Sequence, residues 1–353
     1  IYAHKHHNRA PQLKTTNQYL VPLLAKLPFE LTQAQKRVLH EILHDLTNPQ
    51  QMNRLLQGDV GSGKTIVATI AALVAIENGF QAVIMAPTEI LAEQHYTKIS
   101  ALLTGLDLNV VWLTGSLTAK TKREALAKCS SGEAQLIIGT HAVFQKDVEF
   151  KQLGLVVIDE QHRFGVEQRL ALVNKGQNEL HPHQLMMSAT PIPRSLAMSY
   201  YADLDVSSID ELPPGRTPIK TLLINNVRRK EVIKFVQQHA CLGNQAYWVC
   251  PLIEESEKLE LENAINTHEE LTNALAPIKV GLVHGKMKSK DKAEVMADFT
   301  ANWTQVLVAT TVIEVGVDVP NASIMVIEHS ERMGLAQLHQ LRGRVGRGST
   351  ESQ

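Results

Sequence analysis

Gly58-Asp59-Val60-Gly61-Ser62-Gly63-Lys64-Thr65 is the stretch that decides the fold. It has the spacing G-x-x-x-x-G-K-[ST]. Leu55-Leu56 stands before it, and an apolar helical run follows to Glu77, where Asn78-Gly79 can end the helix. Strand, loop and helix in that order are the context in which this spacing binds phosphate. The glycines let the backbone curl so that its N–H groups point at one centre, and the helix N-terminus adds a field that favours an anion. In such a loop Lys64 reaches the β- and γ-phosphates and the Thr65 hydroxyl ligates Mg²⁺. ATP and Mg²⁺ are therefore the expected cofactors, cradled by Gly58, Asp59, Val60, Gly61, Ser62 and Gly63.

Outward from the loop, strands and helices alternate. Ala82–Met85, Leu136–Ile138 and Leu155–Ile158 are short apolar runs. They suit strands of a parallel sheet covered on both faces. The third ends in Asp159-Glu160, and carboxylates at a strand's carboxyl end face the ligand in doubly wound sheets. Asp159 is expected to hold the metal, and Glu160 to orient and deprotonate the attacking water. Alone, an Asp-Glu pair is often a solvated turn; a phosphate loop earlier in the same lobe favours the functional reading. Upstream, Gln35 can donate to and accept from an adenine edge. It is equally the third residue of a helix capped by Thr32, and both readings stand.

Glu211-Leu212-Pro213-Pro214-Gly215-Arg216-Thr217-Pro218 interrupts the alternation and is the best linker. Apolar strands resume at Tyr247–Val249, Val280–Val283, Val306–Ala309 and Ile324–Ile327. The expected fold is α/β, two tandem doubly wound parallel-sheet lobes. Residues 1–28 read as a linker or the remnant of a missing N-terminal domain, 29–212 as the first lobe and 213–353 as the second. The halves share no obvious residue-level repeat.

Bulk properties of the 353 residues agree with this. Hydrophobic content is 44% and charged content 20%, as in a globular protein rather than a disordered one. No apolar run approaches the ~20 residues of a membrane span. The cysteines, Cys129, Cys241 and Cys250, form no CxxC pair, which suits a reducing cytoplasm. A net charge of -1 says nothing against nucleic acid, because phosphate binding depends on local Lys and Arg. His4, His6 and His7 lack Cys or carboxylate neighbours and read as a solvated tail rather than a metal site. Glu254, Glu255 and Glu257 read as a solvated loop. Lys286, Lys288, Lys290 and Lys292 divide evenly between a DNA-facing patch and an exposed helix start.

The order of the blocks resembles a known family. They are Gly58–Thr65, Ala86-Pro-Thr-Glu-Ile-Leu-Ala-Glu-Gln-His95, Ile138-Gly-Thr-His-Ala-Val-Phe144 and Asp159-Glu-Gln-His-Arg-Phe-Gly165, then Ser188-Ala-Thr-Pro-Ile-Pro-Arg194, Val283-His-Gly-Lys-Met287, Ala309–Ala322 and Gln340-Leu-Arg-Gly-Arg-Val-Gly-Arg347. Together they resemble the superfamily 2 helicase motor, with RecA-like lobes. The Asp-Glu-Gln-His-Arg-Phe-Gly box and Tyr247–Glu257 are similar to the RecG family, whose nearest relative is the transcription-repair coupling translocase Mfd. The resemblance covers Phe29 to Gly348. It implies that Gln35 reads adenine with Phe29 as a stacking partner, and that Gly316 and Asp318 face ATP. It also implies arginine fingers at Arg344 and Arg347, a nucleic-acid track at Thr88, Gly139, Thr140, His141 and Thr310, and coupling through His162, Ser188 and Thr190.

Physical chemistry supports parts of this independently. Guanidinium contacts phosphoryl oxygens bidentately and stays charged throughout turnover, and glycines between arginines suit close approach better than a helix. Hydroxyl and backbone donors on the track hold phosphates without reading sequence. An aromatic content of 5% argues against a base-stacking platform. The expectation is a cytoplasmic, nucleoid-associated, ATP-driven translocase, powered between two lobes, that remodels branched double-stranded DNA such as stalled forks and Holliday junctions in recombination and repair. It is expected to act as a monomer, with no membrane partner and with single-stranded-DNA-binding protein as a candidate partner. An Mfd-like translocase and a nucleotide-gated DNA clamp that does not step are the alternatives. RecG proteins carry a wedge domain and a helical hairpin that do not appear here, so the chain reads as a fragment that remodels forks poorly.

Overall fold

The computed structural model describes residues 8–160, 180–189, 204–211, 219–250, 257–310, 319, 321–346 and 352. The chain divides into two compact units, Ile1–Leu212 and Pro213–Gln353. The division falls in the proline-rich stretch, whose residues 212–218 lie outside the described residues.

The first unit carries seven strands: β1 (Asn53–Gly58), β2 (Gln81–Met85), β3 (Val110–Leu113), β4 (Leu136–Gly139), β5 (Leu153–Ile158), β6 (His183–Ser188) and β7 (Asp205–Ile209). They form one sheet in the order β3-β4-β2-β5-β6-β1-β7, every pairing parallel. Along β2, Ala82 and Ile84 enter one apolar cluster while Val83 and Met85 enter another, and β5 alternates likewise. Alternate side chains point to opposite faces of a strand, so the sheet is covered on both sides. That is why these strands read as continuous apolar runs rather than alternating ones.

The described helices of this unit are α1 (Leu20–Lys26), α2 (Gln33–Leu46), α3 (Lys64–Glu77), α4 (Glu89–Leu103) and α5 (Ala119–Ser131). Ile66 to Ile76 of α3 are all buried, the signature of a helix enclosed on every side. The turn Asn78-Gly79 ends it, with Gly79 at φ 79°.

Residues 8–27, expected as part of a linker or the remnant of a missing domain, pack against the first unit. Leu13, Leu20 and Leu23 are buried in the core beside α3. Glu77 accepts hydrogen bonds from the backbone N–H groups of Thr16, Tyr19 and Leu20, and Asn78 bonds both N–H and C=O of Lys14. The signal was weak in sequence because the apolar residues are widely spaced and the polar groups are satisfied by side chains more than 50 positions away.

The second unit has β8 (Gln245–Val249), β9 (Val280–Val283), β10 (Val306–Ala309) and β11 (Ala322–Ile327), parallel and in the order β11-β8-β10-β9. Its described helices are α6 (Arg229–Cys241), α7 (Glu257–Leu275), α8 (Ser289–Thr300) and α9 (Leu335–Arg342). Tyr247 and Val249 face one cluster, Ala246 and Trp248 the other.

Candidate nucleotide and nucleic-acid site

Parallel pairing sends every carboxyl end of the first sheet to one edge, where ligands of open α/β sheets bind. β1, β6 and β5 are neighbours, with Gln57 opposite Ser188 and Met186 opposite Ile158. The loop after β1, Ser188 at the end of β6, and Asp159-Glu160 after β5 therefore stand side by side. β2 and β4 follow on the same edge and deliver Thr88 and Gly139-Thr140-His141.

The loop is shaped by its glycines. Gly61 and Gly63 have φ of 81° and 88°, a region costly for any residue with a Cβ. Ser62 donates from its N–H to Asp59 O (3.0 Å) and Val60 N–H to Asp59 Oδ1 (2.7 Å). Gly63 caps α3 without a side chain, so the first-turn N–H groups meet no side-chain cap. Lys64 Nζ donates to the carbonyls of Gly58 (2.6 Å) and Asp59 (3.0 Å), which holds the ammonium over the loop.

Gln35 braces this loop from behind. Thr32 Oγ1 accepts from Gln35 N–H and Gln35 Oε1 accepts from Thr32 N–H, a complete capping box at α2. Gln35 Nε2 also donates to Ser62 O at 2.8 Å, and a Cβ at Gly63 would collide with it. The cap reading is thus correct, and the same buried side chain contacts the phosphate loop. Phe29, just before, is 51% exposed.

Asp159 is buried, with both carboxylate oxygens engaged. Oδ2 accepts from His95 Nε2 at 2.7 Å and Oδ1 from Glu160 N–H at 3.0 Å. Burial pushes its pKa up, but the hydrogen bond and charge of His95, the Lys64 ammonium and the Glu160 N–H together hold it below the ordinary carboxylate value. Glu160 has φ 47°, a left-handed conformation that a non-glycine residue adopts only under structural compulsion. Sequence reasoning missed His95. A signal existed: it ends the block that begins at Ala86 and lies seven residues, two helical turns, beyond the cap Thr88, on the same face of α4.

A glycine-shaped loop at a helix N-terminus, one lysine and a buried aspartate form a set that fits a magnesium-bound triphosphate. No group of three or more His, Cys, Asp or Glu that could hold a metal alone occurs among the described residues.

The remaining predicted positions are spread more widely. Thr88 caps α4, accepting from Leu91 N–H. Gly139 is glycine for a packing reason, since a Cβ there would strike the Leu113 carbonyl. Thr140 and Thr310 are buried, while His141 is exposed and opens the short 3-10 helix His141–Phe144. Ser188 is fully buried. Arg344, 8% exposed, follows α9, and its N–H donates to Leu341 O at 2.9 Å. His162, Thr190, Gly316, Asp318 and Arg347 lie outside the described residues, as do His4, His6, His7, Glu254 and Glu255. Lys288 takes the N-cap position of α8 without a side-chain cap, Lys290 pairs with Glu294 at 4.0 Å, and Lys292 donates to Gly285 O at 2.8 Å, so the lysines surround the start of this helix. No described helix is long and apolar enough to cross a membrane.

Comparison with known proteins adds the following. A DEAD/DEAH box helicase family model matches residues 32–199, and a helicase conserved C-terminal domain model matches 226–349. The chain is 58% identical over 332 residues to the ATP-dependent DNA helicase RecG of Pasteurella multocida, covering 93% of this chain and 48% of that protein. It is 59% identical over 333 residues to the protein of the same name from Escherichia coli K12, covering 94% and 48%. A solved structure of RecG bound to a three-way DNA junction superposes with a TM-score of 0.81 at 46% identity, over 96% of this chain and 44% of that one. The chain thus spans about half the length of the curated relatives it matches.

Proposed function

Because the chain belongs to the RecG family of ATP-dependent DNA helicases, we propose that it is an ATP-driven motor acting on branched double-stranded DNA in recombination and repair. The observation that carries this reading is the convergence of the phosphate loop, Asp159 and the Thr88 and His141 segments on one sheet edge. Nucleotide chemistry and a DNA-facing surface then share a single rigid support.

Bound magnesium-ATP supplies the phosphoryl group and neutralises its charge. The chain's own groups do the rest. Amides of the loop 61–65 and the Lys64 ammonium bind the phosphates, and the Thr65 hydroxyl and Asp159 hold the metal. Glu160 accepts a proton from the attacking water. Arg344 and Arg347 act as arginine fingers, contributions worth roughly 10³–10⁵ in rate where they operate. Gln35 and Phe29 select adenine, with Gly316 and Asp318 facing the nucleotide. Thr88, Gly139, Thr140, His141 and Thr310 line the DNA track; His162, Ser188 and Thr190 couple it to hydrolysis. We place the protein in the cytoplasm at the nucleoid, working as a monomer beside single-stranded-DNA-binding protein.

The test is ATP turnover with and without forked DNA, alongside triplex displacement. DNA-stimulated turnover with displacement is expected. Stimulation without displacement supports a clamp, and turnover indifferent to DNA defeats the reading.

A further inference from the structure

His95 belongs to α4 and Asp159 to the edge of β5, and the two side chains meet in the interior at 2.7 Å, 6% and 7% exposed. An ionised carboxylate only accepts, so the imidazole Nε2 carries the proton of this bond. Glu160 N–H occupies the other oxygen. Each carboxylate oxygen is therefore oriented by a hydrogen bond, one of them from His95.

The other end of the same helix faces elsewhere. Thr88 caps α4, and Glu89 in its first turn accepts from Ser116 N–H at 3.1 Å, fastening it to the loop after β3. Thr88 and His95 are about 10 Å apart along the axis of one continuous helix. One helix and a single hydrogen bond thus connect this first turn to Asp159. In the second unit the carboxylate of Glu328, which follows β11 as Asp159 follows β5, is held differently, by Arg229 Nε at 2.6 Å from a helix that bears none of the proposed DNA positions.

We propose that His95 is the positioning residue through which the DNA-side end of α4 sets the geometry of the Asp159 carboxylate, coupling DNA contact to metal binding. This rests on the nucleotide and DNA-track readings above. Partners that orient a ligating carboxylate are commonly worth about 10–100-fold in metal affinity.

The test uses the full chain and Mn²⁺ with a non-hydrolysable ATP analogue, metal binding being followed by electron paramagnetic resonance. His95→Leu and His95→Asn, which cannot reach Oδ2, are expected to weaken Mn²⁺ binding about 10-fold or more and to bring DNA-stimulated turnover down toward the basal rate. His95→Gln keeps an N–H at similar reach and is expected to recover both. Folding is checked by thermal melting. Should the leucine variant fail to fold, the asparagine variant decides. Wild-type Mn²⁺ affinity and DNA stimulation in a folded His95→Leu or His95→Asn protein would overturn the proposal. Wild-type protein that binds no metal–nucleotide would overturn the nucleotide reading, and this one with it.

Discussion

Four strands of the first unit, β3-β4-β2-β5, have their counterpart in the second unit's β9-β10-β8-β11, in the same order and all parallel. The agreement reaches single hydrogen bonds. Gln81 N–H donates to Gln152 O and Gln245 N–H to Asn321 O; Gln135 Oε1 accepts from Asn109 N–H and Gln305 Oε1 from Lys279 N–H. Asp159 N–H donates to Met85 O and Glu328 N–H to Val249 O, and the next residues, Glu160 and His329, have φ of 47° and 48°. What differs is the rest of the first sheet. Only there do the described strands continue through β6, β1 and β7, bringing a phosphate loop against the carboxylate. Both units share a scaffold that ends in a carboxylate and a left-handed residue. Chemistry needs the added strands.

Neutralising each carboxylate in turn should separate the two units most clearly. Asp159→Asn is expected to lower kcat for ATP by at least about 10²-fold, the scale of losing one fixed charge-stabilising group. Glu328→Gln should leave kcat within about twofold and cost the second unit about 1–2 kcal/mol, since Arg229 loses one charge-assisted bond but keeps Glu270. Steady-state turnover and denaturant unfolding check the two halves. A large kcat loss in Glu328→Gln would mean that the second carboxylate also serves the reaction.

A smaller contrast lies in the two glutamines. Gln81 is saturated: Nε2 donates to Cys129 O and Ala134 O, and Oε1 accepts from the N–H groups of Lys151 and Gln152. Gln245 Nε2 repeats the first pair on Phe299 O and Thr304 O, but its Oε1 is buried without a partner among the described residues. The position before Asn321 is Pro320, which has no N–H to give. Gln81→Met is therefore expected to destabilise its unit by about 1–3 kcal/mol more than Gln245→Met does its own. Hydrogen exchange of β2 against β8 measures this, and equal losses would refute the account.

This duplication was legible in part. Gly79-Phe-Gln-Ala and Gly243-Asn-Gln-Ala open β2 and β8, and Gln-Leu-Ile-Ile-Gly-Thr (135–140) parallels Gln-Val-Leu-Val-Ala-Thr (305–310). It escaped a reading by motif because the shared residues serve backbone bonding, not chemistry. Gly139 against Ala309 shows how context alters one position, since only the first approaches a neighbouring carbonyl too closely for a Cβ. Strand runs and the phosphate loop were plain, because apolar patterning and glycine spacing are local properties. β6 and β7 were harder, for Gln184, Ser207 and Ser208 break their apolar pattern. His95 was hidden for another reason. Its partner is 64 residues away, and only the sheet order brings them together.

The smallest expected effect concerns acid. His183 is fully buried; Met52 N–H donates to its Nδ1 at 3.0 Å, so the proton sits on Nε2 and is given to Pro11 O at 2.7 Å. Burial pushes its pKa down, more than the Pro11 bond and the charge of Asp45 push it up. A second proton would have to displace the Met52 N–H. Unfolded, the ring takes up that proton below about pH 6.5. The stabilisation is therefore whole above that pH and is lost as pH falls toward the folded value, by at most about 1.4 kcal/mol per pH unit. Among the described residues of the second unit no histidine is fully buried; His284, whose pKa is held down by partial burial and by Lys292 and Lys286, follows β9, which does not pair with β8. Acidification from pH 7.5 to 5.5 should thus lower the protection of β1 and residues 8–14, measured as exchange relative to the intrinsic rate at each pH, before that of β8, and His183→Gln should flatten that difference. Were β8 to loosen first, or the variant to keep the full slope, the acid sensitivity would belong to some other group, and the clamp of the N-terminal segment onto the first sheet would not depend on this ring.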